Sequence, residues 1–97
     1  MNYAFHPEAE AEFVEAIEYY EAREIGLGLD FAAEVHAAIQ RATTFPTAWQ
    51  VVSQDVRRAL VRRFPYGILY AIDAETILIV AVMNLHRAPN YWANRLT

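Results

Sequence analysis

The sequence predicts an α+β fold: an N-terminal strand and a helical hairpin packed on one face of an antiparallel sheet of about four strands, with a short C-terminal helix. Two observations carry that expectation. Apolar residues recur every three to four positions through the first half, and extended runs take over in the second. Glycine and proline fall between those runs, where elements should end. The 97 residues are the length of one domain, so a single unit spanning 1–97 is expected.

Asn2 to Phe5 reads as a short strand with Tyr3 and Phe5 on one side. Pro7 then suits a first helical position, where its missing N–H costs nothing. Glu8, Glu10 and Glu12 complement the positive helix N-terminus. Ala9, Phe13, Ile17 and Tyr20 form an apolar stripe, leaving Glu15, Glu18 and Glu21 on a solvated face. Gly26 suits a left-handed cap, and Leu27-Gly28 a tight link before a second helix starting near Asp30. Phe31, Val35, Ala38, Ile39 and Ala42 continue the period up to Phe45-Pro46, so the helices should lie antiparallel.

From Val56 to Phe64 the chain reads as extended. Its adjacent arginine pairs, Arg57-Arg58 and Arg62-Arg63, should each place one side chain on either face of a strand. Phe64-Pro65-Tyr66-Gly67 suits a type I turn. Ile68–Ile72 and Thr76–Met83 follow as strands joined through Asp73, Ala74 and Glu75. The latter run is apolar on both faces, as a central strand is. Pro89 is placed to open a terminal helix.

Composition narrows the function classes. Cysteine is absent, which removes disulfides and thiolate metal sites. The most apolar run, Thr76 to Leu85, is too short to span a bilayer, and no charged-then-apolar leader opens the chain. A cytoplasmic protein without membrane contact is expected. Hydrophobic content is 56%, against ~45–50% in an average domain. That excess fits either a dense alanine-rich core or apolar surface meant for a partner. Residues 1–50 carry Arg23 and Arg41 against nine carboxylates, whereas residues 51–97 carry six arginines against Asp55, Asp73 and Glu75. Lysine is absent. Arginine's planar fork recognises carboxylates and phosphates, so the second half is the candidate interaction surface.

Several groups of residues, in this order, resemble the RelE/ParE superfamily of toxins from type II toxin–antitoxin systems. They are Tyr19-Tyr20-Glu21, Gly26-Leu27-Gly28, Phe31 with Glu34-Val35, Phe45-Pro46, Arg57-Arg58, Arg63-Phe64-Pro65-Tyr66, Ile68-Leu69-Tyr70, His86-Arg87-Ala88-Pro89 and Tyr91-Trp92. The resemblance covers essentially the whole chain. It implies the RelE/ParE-like fold and neutralisation by a cognate antitoxin, as a homodimer or as a heterotetramer with it. It also implies one of two targets: DNA gyrase for ParE-like members, or messenger RNA on the ribosome for nuclease members. In the nucleases the residue after the turn aromatic is commonly an arginine that contacts the scissile phosphate. Here Gly67 follows Tyr66, and the lysines those nucleases often carry are missing, which favours the ParE-like side.

If the protein is instead an endoribonuclease, His86, Arg87 and Tyr91 are the candidate catalytic residues. RNA cleavage needs a proton acceptor, a donor for the leaving oxygen and positive charge at the phosphate, the last from Arg87 with Arg63. The competing reading makes His86 a hydrogen-bonded strand-end residue, and Tyr91 and Trp92 anchors of the terminal segment. For antitoxin or target binding the candidates are Arg57, Arg58, Leu60, Arg62, Arg63, Tyr66, Tyr70, Trp92 and Arg95, an arginine- and aromatic-rich set of hot-spot type. A third class is a toxin-fold module that only binds a partner in operon regulation. His6 and His36 lack ligand spacing, no phosphate loop or serine nucleophile motif occurs, and neither a metal nor a cofactor is expected.

Overall fold

The computed structural model describes residues 1–96. Chain order is β1 (Asn2–Phe5), α1 (Pro7–Arg23), α2 (Leu27–Thr44), β2 (Gln50–Ser53), β3 (Val56–Leu60), β4 (Tyr66–Asp73), β5 (Thr76–Asn84) and a closing 3-10 turn at Ala93–Leu96. The sheet order is β1-β5-β4-β3-β2. It has five strands, and it is mixed rather than wholly antiparallel, because β1 runs parallel to β5. The two helices carry the chain from β1 to the far edge of the sheet. Strands β2 to β5 then meander back, and the last of them arrives beside β1 in the same direction. Strand β2 is not announced by periodicity; its pairing with β3 includes a register shift between Val51 and Ser53.

Helix α1 begins as its sequence dictates. Pro7 occupies the first turn, and His6 caps the helix by accepting the Glu8 N–H on Nδ1 at 3.1 Å. The link between the helices differs from expectation. Arg23 ends α1, Gly26 takes the left-handed conformation (φ 90°) at the start of α2, and that helix begins at Leu27. Glu21, placed on the solvated face by the stripe argument, instead accepts the N–H groups of Gly26 and Gly28 at 2.9 and 3.0 Å. Its carboxylate thereby satisfies two amides at the positive end of α2.

The helices cover one face of the sheet. Phe31 on α2 is fully buried and lies among the rings of Phe13, Tyr20, Phe64 and Tyr66, with centroids 4.9–6.2 Å apart. This aromatic cluster joins both helices to the β3–β4 link and to Ile68, Ile79 and Val82 of the sheet. On the opposite face Val56, Leu69, Val80, Ala81 and Met83 pack with Trp92. The pairs Leu69↔Ala81 and Tyr70↔Ile79 leave Val80 as an extra residue, so Val80 and Ala81 both join that second cluster.

Three further expectations are corrected. The extended run ends at Leu60, so Arg62 and Arg63 lie in the β3–β4 link, Arg63 in the left-handed region (φ 71°). Tyr66 and Gly67 already belong to β4, and the chain turns across Val61–Pro65, with the Val61 N–H donating to Tyr66 O at 2.9 Å. After Pro89 the chain makes turns, and only Ala93–Leu96 is helical, as a single 3-10 turn.

Gly28 illustrates how closely the helices approach. A Cβ there would lie 2.7 Å from the Ile17 carbonyl oxygen and 2.9 Å from the Glu21 side chain. Alanine normally favours a helix over glycine by about 1 kcal/mol. Here Gly28→Ala is expected to destabilise the protein by about 1–3 kcal/mol, as read from the midpoint of urea unfolding.

Candidate functional cleft

Where α1 passes the end of β5 and the chain that follows it, the surface opens into a cleft of about 790 Å³. Glu12, Ala16, Tyr19 and Tyr20 of α1 form one wall, Asn84, His86, Arg87 and Tyr91 the other, and Pro65 with Tyr66 lies between them. The three residues proposed for RNA cleavage are therefore brought together. His86 is exposed, and its backbone N–H is held by Asn84 Oδ1 at 2.9 Å. The Arg87 guanidinium stacks 3.9 Å from the Tyr91 ring centroid, opposite Arg23 over Tyr19 at 4.5 Å.

Glu12 is set apart from the other acids of α1 by its contacts, not by its spacing. Its carboxylate accepts the Tyr91 hydroxyl at 2.6 Å, the Val82 N–H at 3.1 Å and two Arg95 N–H groups at 2.8 and 3.1 Å. The Arg95 side chain is 8% exposed, and it also donates to Val80 O at 3.0 Å. Its guanidinium is held above its ordinary range, first by the hydrogen bond to Glu12. Tyr91 is driven strongly upward from the usual phenol value, first by burial and then by donating to Glu12. Its proton is committed to an internal carboxylate.

The proposed binding residues divide into two sets. Arg57 donates to the carbonyls of Thr47 and Trp49 at 3.0 and 2.7 Å, fastening the α2–β2 connection to β3. Tyr70 is fully buried and donates to Pro46 O at 2.7 Å. Trp92 is 3% exposed, with its indole N–H on Pro89 O. These three and Arg95 make internal contacts; strand alternation and a buried terminal segment turn them toward the fold.

The remaining set faces outward. Leu60 is 50% exposed. Arg62 is exposed and Arg58 half-buried, and among the described residues neither has an ion-pair partner. Arg63 lies 3.7 Å from Asp30, an open contact of little energetic weight. Gly67 lies beneath the Arg58 stem: a Cβ there would be 3.0 Å from Arg58 Cγ. Tyr66 is half-buried beside the cleft, its hydroxyl raised by burial and tempered by a bond to Asn84. Among the described residues no group of histidines and carboxylates is placed to hold a metal, and no helix is long and apolar enough to cross a membrane.

A helical hairpin on a five-stranded sheet, with arginines on β3 and in the link after it and a cleft beside the end of β5, is the architecture of a small toxin of the RelE/ParE type. A family model described as the ParE toxin of the type II toxin–antitoxin system, parDE, matches residues 3–89, and the chain belongs to that family. A solved chain titled "Chromosomal ParDE TA system from P. aeruginosa" is similar in fold. It superposes with a TM-score of 0.74 at 14% identity, covering 89% of this chain and 97% of that one. Comparison with curated protein sequences finds no match.

The state of Tyr91 has a consequence in alkali. Its folded-state affinity for the proton exceeds that of the unfolded chain, so its contribution to stability is complete below about pH 10 and is lost as pH rises beyond it. Tyr20, Tyr66 and Tyr70 are shifted in the same direction by burial. Unfolding free energy measured from pH 8 to 12 is expected to fall above about pH 10, and less steeply in Tyr91→Phe.

Proposed function

We propose that this protein is a ParE-like toxin, silenced by direct binding of a cognate antitoxin in the cytoplasm and acting on DNA gyrase to arrest growth. The observation that carries the reading is the engagement of Tyr91 and Arg95 with Glu12. A phenol whose proton is held by a partly buried carboxylate, and whose affinity for that proton is raised, is poorly suited to exchange protons with RNA near neutral pH. A guanidinium committed to Glu12 and Val80 O is equally unavailable to a phosphate. Family membership and the acidic overall balance of the chain support the same side.

For the antitoxin, the outward set offers a surface of matching chemistry. Arg58 and Arg62 flank the exposed Leu60 and have no ion-pair partner among the described residues, so an acidic, amphipathic segment would bring both carboxylates and apolar contacts to it. Assembly as a heterotetramer with the antitoxin follows from the same reading, as an alternative to a homodimer of the toxin. The exposed His86 beside Arg87 favours one competing function, ribosome-dependent cleavage of messenger RNA.

Purified protein added to gyrase is expected to inhibit supercoiling, and His86→Ala to inhibit equally well. Addition of the antitoxin should restore supercoiling for the wild type, but at least about tenfold less effectively for a variant carrying Arg58→Glu and Arg62→Glu. Normal supercoiling, together with codon-associated cuts in translated messages that vanish in His86→Ala, would replace this reading with the nuclease. Failure to affect either process with folded protein present would leave a partner-binding module.

A further inference from the structure

Strand β5 is longer than its neighbour on one side. β1 accompanies it only to Phe5, opposite Ile79, and the His6 N–H makes the next bond to Ile79 O at 2.8 Å. Beyond that point β5 continues to Asn84 with no strand beside it on that edge among the described residues. An unpaired edge needs partners for its peptide groups. Side chains supply them here: Arg95 donates to Val80 O, and the Val82 N–H donates to Glu12. The two side chains are themselves joined by a pair of hydrogen bonds.

Of the two residues that complete this edge, Glu12 lies within the family match and Arg95 past residue 89, where that match ends. The closing segment is anchored at two points: Trp92 is inserted against Val80, Ala81 and Met83, and Tyr91 and Arg95 converge on Glu12. Tyr91 is also the ring on which Arg87 rests, and Arg87 Nη1 lies 3.9 Å from the same carboxylate. Glu12 thus reaches Arg87 in two ways, through the Tyr91 ring that it pins and by a long ion pair of its own. An arginine free on a turn would lose several rotatable bonds' worth of freedom on meeting a partner; one already stacked loses less.

We propose that residues 91–95 form a strap that replaces the missing strand neighbour of β5, and that Glu12 is a positioning residue which, through Tyr91, holds Arg87 in the cleft. The proposal is independent of whether gyrase is the target, and its test reads the protein alone. In NMR spectra of the wild type, the side-chain protons of Arg87 should be displaced upfield by the Tyr91 ring. Those of Arg23, stacked on Tyr19 of α1 across the cleft, provide an internal control.

In Glu12→Ala the Arg87 displacement should collapse and the Val82 amide should exchange about tenfold faster or more, as loss of a hydrogen bond to a charged group allows, while Arg23 stays unchanged. Tyr91→Phe leaves an apolar ring in place and removes only the hydroxyl, so it should fold even if Glu12→Ala does not. Its Arg87 displacement should also shrink, because the ring is no longer pinned. Wild-type Arg87 signals in either folded variant would overturn the proposal. So would Arg23 signals that move in step with those of Arg87, since that would report general loosening rather than release of the strap.

Discussion

A carboxylate on the first helix receives hydrogen bonds from the sheet and from the end of the chain, and the geometry of the cleft depends on it. Glu12 accepts from the backbone of Val82, from Tyr91 and twice from Arg95. Removing two charges from water is costly unless each finds several partners. Here the guanidinium is additionally held by Val80 O and the carboxylate by two further donors, so the desolvated pair is well satisfied. Besides it, Arg95 reaches α1 through an ion pair with the exposed Glu8 at 3.5 Å, a contact of little energetic weight, and β5 through Val80 O. The consequence for function is indirect. By absorbing Tyr91 and Arg95 into the fold, the same interaction leaves His86 and Arg87 exposed beside the cleft, while Arg58 and Arg62 have no ion-pair partner among the described residues.

The fold rests on a division of labour between the sheet's two faces. One is covered by the helical hairpin through a cluster of aromatic rings centred on Phe31. The other relies on Trp92 from the terminal segment. The outward arginines lie on either side of Leu60, Arg58 within β3 and Arg62 in the link that follows it. An acidic chain that concentrates exposed guanidinium groups in one place is suited to selective contact with a protein partner, since its remaining surface repels phosphate backbones.

The helices were legible in the sequence because their apolar stripes have the right period and Pro7 marks where the first begins. Strands β4 and β5 were legible from composition, and the central position of β5 from its two apolar faces. The parallel pairing of β1 was not legible, since strand direction depends on where a chain returns after a crossover and local pattern carries no such information. Strand β2 escaped notice because Gln50–Ser53 is short and takes its definition from β3. Arg57 and Arg58 are neighbours of the same type, yet one fastens an internal loop and the other faces outward. Alternation said that they differ but not which is which. Glu12 and Glu21 were hidden among the regularly spaced acids of α1. Only contacts 70 or more residues distant for Glu12, and the sharp link at Gly26 for Glu21, separate them from solvated neighbours. A hint existed in the terminal arginine, which has no local carboxylate to pair with.

The most direct test of the account is a double-mutant cycle between Glu12 and Arg95, with stability measured for Glu12→Gln, Arg95→Gln and the combination. A desolvated pair joined by two hydrogen bonds should show a coupling energy of about 1–3 kcal/mol. A value within about 0.5 kcal/mol of zero, as exposed ion pairs give, would contradict the claim that this interaction organises the cleft.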